Sequence, residues 1–194
     1  MTGRLTFGAT DPRTGYDDPA AIPFTLKASI DIHDIDKFIA DKTHTGDLTG
    51  HLYAPRAGFT LPGTGGVFRL FARTADRSET WMVYEISYAR DGKAYYFAGR
   101  EHVRIGPPWR AWTETTTLYV MLHERDLAGP VVAAGILRLN LFDLFALLGT
   151  LHATGCEAPI ERWRAIWRFA AFFTRELWRT YVLRRPATKA GAKQ

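Results

Sequence analysis

The sequence predicts a mainly β fold of the α+β class. It is an antiparallel meander of about seven strands, curled into a barrel or strongly curved sheet. A short helix follows the first strand and two helices close the chain. Three observations carry this reading. Between residues 24 and 140 stretch after stretch alternates apolar with polar residues. Most of these stretches are joined by short loops, with no long helical crossover between them. Near the C-terminus the apolar period changes from two to 3.6.

Taken in order, residues 1–21 are polar, with Gly, Pro and Asp scattered through them, and read as a flexible N-terminal arm. Phe24, Leu26, Ala28, Ile30 and Ile32 alternate with Thr25, Lys27, Ser29 and Asp31, the pattern of a half-buried strand. Asp34 reads as the N-cap of a short helix whose Ile35, Phe38 and Ile39 share a face. Strands are predicted over 48–54, 66–73, 79–89 and 93–105, with Asp91-Gly92 as a hairpin turn between the last two. After Pro107-Pro108, strands follow over 112–124 and 131–140, then a helix over about 142–152. The predicted domain is the barrel-like unit 22–155. Residues 156–185 form an amphipathic helix, and 186–194 a disordered basic tail.

A chain of 194 residues is long enough to bury one good core. Between residues 160 and 185 there are seven arginines and two glutamates, an excess that matches the +5 of the whole chain. Charge elsewhere is nearly balanced, which argues against a nucleic-acid-binding body. The single cysteine, Cys156, permits no internal disulfide and suits a reducing compartment. The N-terminus shows no apolar signal-peptide core, and no apolar run reaches the length of a bilayer span. The expected location is cytoplasmic, with a peripheral place on the inner face of the membrane as the variant the C-terminal helix suggests.

No nucleophile elbow occurs, and Cys156 has no evident base. Gly63-Thr64-Gly65-Gly66 resembles a phosphate loop, but no helix follows it, so it reads as a strand-entry turn. His33, Asp34 and Asp36 cluster at a strand-to-helix corner, yet capping explains Asp34. No metal site and no cofactor is therefore expected.

The strand faces are more informative. Glu85, Glu101 and Glu114 share faces with large apolar residues, and a carboxylate among aromatics inside a barrel has a raised pKa. The plainer alternative pairs each with Arg100 or Arg104, or leaves it in water at a strand end. The candidate ligand-lining set is Phe68, Leu70, Tyr84, Tyr95, Phe97, Thr116, Leu118 and Val120, with Glu101 or Glu114 orienting a ligand hydroxyl. An enzyme reading makes Glu101 or Glu114, with His102, the acid–base groups of an isomerase or cyclase. His102 falls on the opposite strand face from Glu101, which counts against a simple dyad.

Four segments resemble a known protein region. They are FTLKASIDIHDIDKFIADKTHTGDLTGHLYAP (24–55), GGVFRLFARTAD (65–76), WRAWTETTTLYVMLHE (109–124) and GPVVAAGILRLNLFDLFALLGTLHATG (129–155). Together they resemble an accessory region found beside the flavin-dependent domain of bacterial GMC oxidoreductases similar to cholesterol oxidase. The resemblance covers most of 24–155 and carries over no catalytic residue, and the flavin domain's Gly-rich fingerprint is absent. It implies a stand-alone accessory module working near a sterol or other lipid-like substrate, with a flavin oxidoreductase as partner.

The helix after residue 159 lies beyond that resemblance. Arg164, Arg168, Arg175 and Arg179 fall within one narrow arc, and aromatic residues fill the opposite half of the wheel. Trp163, Trp167, Phe173 and Leu177 are expected to be buried, against the open side of the meander or in a homodimer. The arginine stripe is then left outside to meet lipid headgroups or an acidic partner.

Overall fold

The computed structural model describes residues 1–73, 80–103, 117–139, 149–155 and 158–178. Eight antiparallel strands pair in sequence order and close on themselves: β1 (Thr2–Phe7), β2 (Ile22–Asp31), β3 (Thr45–Ala54), β4 (Phe59–Arg73), β5 (Thr80–Arg90), β6 (Lys93–Val103), β7 (Thr117–Glu124) and β8 (Val131–Arg138). The expected barrel is present, with eight strands in place of about seven.

The strand missing from the sequence reading is β1. Residues 1–21 are not a loose arm. Thr2 to Phe7 pair with β8 on one side and Thr2 to Leu5 with β2 on the other, so this strand closes the barrel. Helix α1 (Pro12–Asp17) follows, capped by Asp11, whose carboxylate accepts from the Thr14 backbone N–H. It lies on β8: a Cβ added at Gly15 would fall 2.1 Å from the Ala134 carbonyl oxygen. That contact covers the outer face of β8, while the barrel covers the inner one. Ala133, Ala134, Ile136 and Leu137 are all buried in consequence, and the strand reads as an apolar run without alternation.

The other elements follow their local chemistry. Asp34 caps α2 (Ile35–Ala40) through the N–H groups of Asp36 and Lys37. Asp91 and Gly92 both take positive φ, as a two-residue primed turn demands. Gly63-Thr64-Gly65-Gly66 is no strand entry. It lies inside β4, where the register with β5 shifts and Gly65 takes φ 67°. A second shift between Arg69 and Ala72 puts Phe71 at φ 53°, a region costly for a side chain with a Cβ. There Leu70 and Phe71 are both buried, although neighbours on a regular strand face opposite ways.

The C-terminal helix, α3 (Pro159–Trp178), docks across the barrel end where β4 finishes and the β2–β3 connection lies. Phe172 meets His44 and Phe38 at ring-centroid distances of 4.7 and 5.9 Å, and Phe173 meets Phe71 at 5.8 Å. Phe169 lies against Phe38, and Arg168 pairs with Asp36. The face that docks is therefore the Phe169–Phe172–Phe173 face. Trp163 and Trp167, expected inside, are exposed. Phe173 is partly buried as expected. The side chain of Leu177, together with Arg179, the tail 186–194 and residues 142–148 of the predicted 142–152 helix, lies outside the described residues, and residues 150–152 at that helix's predicted end are not helical.

Candidate functional site

The strand pleat sorts the candidate residues. On β5, Met82, Tyr84, Ile86 and Tyr88 face the barrel interior, and on β6 Tyr95, Phe97, Gly99 and Glu101 do. On β7 the inward set is Leu118, Val120 and Leu122, and β4 supplies Phe68 and Leu70. The structure thus brings Phe68, Leu70, Tyr84, Tyr95, Phe97, Glu101, Leu118 and Val120 to one interior. Glu114 and Thr116 lie outside the described residues, as does the side chain of His102.

Glu101 is the exception in this lining. It is 2 % exposed, and its Oε1 has no hydrogen-bond partner. It is not in water, and neighbouring Arg100 is exposed on the other side of the strand; Arg104, the other partner the sequence offered, lies outside the described residues. Glu85 behaves as the plainer alternative describes, although with a different partner. It faces outward and accepts from Arg69 at 3.0 Å.

Burial pushes the Glu101 carboxyl well above the usual carboxylate range. A charge there has lost its water, and no cation among the described residues meets it, so the neutral acid is favoured. Met82 sits directly opposite across the β5–β6 pair and offers nothing polar in return. Tyr84, one diagonal step away and opposite Gly99, meets Phe68 at a ring-centroid distance of 5.0 Å with the rings tilted at 56°. Burial raises its phenol pKa, and the Glu101 charge raises it further. Tyr88 adds a third polar atom. Its ring packs edge-on against Phe97 at 6.4 Å, and its buried hydroxyl has no partner. Burial again raises its pKa.

An apolar interior holding one carboxyl that burial favours in its neutral form, with the phenols of Tyr84, Tyr88 and Tyr95, has a definite chemistry. The acid donates one hydrogen bond and accepts others, and the phenols can do either. It matches a molecule that is mostly hydrocarbon with a hydroxyl or carbonyl at one point. Sequence reasoning singled out Glu101 and Tyr84 but missed Tyr88 and Met82. The alternation that placed Tyr84 places them too, since all three share one parity on β5.

A surface cleft of about 220 Å³ lies at the β2–α2–β3 corner, lined by Asp31, His33, Asp34, Asp41 and Asp47 among others. Most of its charged groups are held by neighbours. Asp34 caps α2, His33 bonds to Asp47 at 2.8 Å, and the Thr43 hydroxyl and backbone hold Asp41 down at about 2. Among the described residues no group of three His, Cys, Asp or Glu is placed to hold a metal.

No family model matches the chain, no curated protein matches it and no solved structure matches it. Function has to be argued from the interior itself. No helix among the described residues is long and apolar enough to cross a membrane.

Proposed function

We propose that this barrel is a binding module for an apolar, sterol- or lipid-like molecule, and that Glu101 meets the ligand's hydroxyl or carbonyl. The observation that carries the reading is the buried, unpaired Glu101 carboxyl among aromatic and aliphatic side chains. An unsatisfied buried polar group costs about 1–3 kcal/mol. A ligand that supplies its missing hydrogen bond recovers that cost and gains the contacts of an apolar interior. Eight-stranded barrels are wide enough inside for packed side chains or for one small ligand. Phe68, Leu70, Tyr84, Tyr95, Phe97, Leu118 and Val120 are the proposed wall. A working place beside a flavin oxidoreductase rests on the resemblance of residues 24–155 alone.

The same carboxyl supports a second reading. A neutral acid beside a phenol, shielded from water, suits proton donation to an apolar substrate in an isomerisation or cyclisation. It needs a second group to take a proton back, and turnover of an added substrate distinguishes it from binding alone.

The proposal predicts that protein purified without detergent carries an apolar molecule bearing a hydroxyl or carbonyl. Mass spectrometry of an organic extract should find it near one per chain. An empty extract, together with no binding of added cholesterol or oleic acid, contradicts the proposal.

A further inference from the structure

Helix α3 has a second apolar face that is exposed and that no contact among the described residues covers. Ile160, Trp163, Trp167 and Trp178 are 65 %, 61 %, 66 % and 60 % exposed. At 100° per residue they fall within about 60° of one another, opposite the Phe169–Phe172–Phe173 face that docks on the barrel. The stripe runs roughly 27 Å along the helix at 1.5 Å per residue. Four large apolar side chains exposed along one helix face mark an interaction site.

Its border is one-signed. Arg164, Arg175 and Arg168 form a row beside the tryptophans. Neither glutamate of α3 lies in the stripe: Glu176 is buried on the docking side, and Glu161 lies beyond the arginine row. Arg168 is committed to Asp36 of α2, yet it remains half exposed. Arg175 has Glu176 3.9 Å away, and its side chain is 62 % exposed.

We propose that this face docks the protein on an anionic lipid surface. α3 would lie in the headgroup plane, its indoles at the acyl boundary and its arginines on lipid phosphates. Indole suits that boundary because it pairs a large apolar ring with one N–H. A basic row beside it adds attraction to anionic lipid. A second copy of the chain fits less well. A two-fold antiparallel contact would set the two arginine rows side by side, with no acidic row to meet either. The inference is independent of the ligand proposed for the barrel.

Vesicle flotation of the full chain tests it. Protein should float with phosphatidylcholine vesicles containing phosphatidylglycerol, and not with phosphatidylcholine alone. Its partitioning should fall in high salt. W163S/W167S/W178S should lower partitioning about tenfold or more, and R164Q/R175Q should lower it while sparing the thermal midpoint. If the triple variant melts lower than the parent, quenching of the parent's fluorescence by brominated lipid decides, and W163F/W167F should reduce that quenching. Absence of flotation, equal flotation on both vesicle types, or a triple variant that floats like the parent overturns the proposal. So does a dimer, seen by sedimentation, that the triple variant dissolves while the parent ignores vesicles.

Discussion

Gly135→Ala should destabilise the protein by about 3 kcal/mol or more and open the barrel at one seam. Gly135 lies opposite Leu5 where β8 pairs with β1. A Cβ there would fall 2.2 Å from the Arg4 carbonyl oxygen and 2.6 Å from the Leu5 Cα. Both are backbone atoms, so no change of rotamer relieves the overlap. The strands must part instead. Gly3, opposite Leu137 on the same seam, is tighter still, with the Ile136 carbonyl oxygen in the way. Parting costs the ladder and leaves two strand edges unpaired. Urea unfolding should show the loss, and amide exchange at residues 2–7 should speed up before any other strand's. A Gly135→Ala protein that keeps the parent midpoint and slow exchange at those amides contradicts the closure.

Glu101→Met should stabilise the empty protein at pH 8 by about 2 kcal/mol and weaken ligand binding at the same time. The gain comes from removing an unpaired buried carboxyl and filling the same space with an apolar chain. The pH dependence fixes the sign. Burial raises the folded-state pKa of Glu101 above its unfolded value. Below the unfolded pKa both states hold the proton, and the carboxyl's contribution to stability is fully present. As pH rises from there through the folded pKa, the unfolded chain releases its proton first and stability is lost. Glu101→Met should therefore flatten the fall in stability between the ordinary glutamate pKa and the raised one. Glu101→Gln should flatten it too, with less gain, because its amide is also left unpaired. Urea midpoints against pH for the three proteins check this. A Met variant less stable than the parent at pH 8 would mean that a partner satisfies the carboxylate.

How far these features could be read from sequence depends on the kind of signal each gives. Strands β2 to β7 show themselves by local alternation, β8 by its apolar run, the β5–β6 hairpin by Asp91-Gly92, and α2 by the Asp34 cap. Each signal sits within a few residues of what it specifies. β1 gives no such signal. Thr2–Phe7 is short, and Leu5 is its one large buried side chain. Its pairing with β8 joins residues more than 120 positions apart, and nothing local announces such a contact. Helix α3 shows the limit of periodicity in another way. The wheel carries two apolar stripes, one of phenylalanines and one of tryptophans. Only the positions of Phe38, His44 and Phe71 decide which stripe docks.

The site was legible to the same depth. Parity put Glu101 on the face of Phe97 and Tyr95, and that face proved to be the interior. Whether an arginine would meet the carboxyl depended on the neighbouring strands. Glu85 and Glu101 are both β-strand glutamates, yet Arg69 meets one and Met82 faces the other. No window of sequence around either residue contains that difference.

The central claim is a neutral acid held inside the barrel for an apolar ligand. Carbon-13 NMR of the Glu101 side-chain carboxyl, assigned by its loss in Glu101→Gln, tests it most directly. The signal should remain that of a protonated acid at pH values where ordinary glutamates have ionised. It should shift when the extracted ligand, or cholesterol, is added. A Glu101 that titrates with the surface glutamates and does not respond to any apolar ligand would contradict the account.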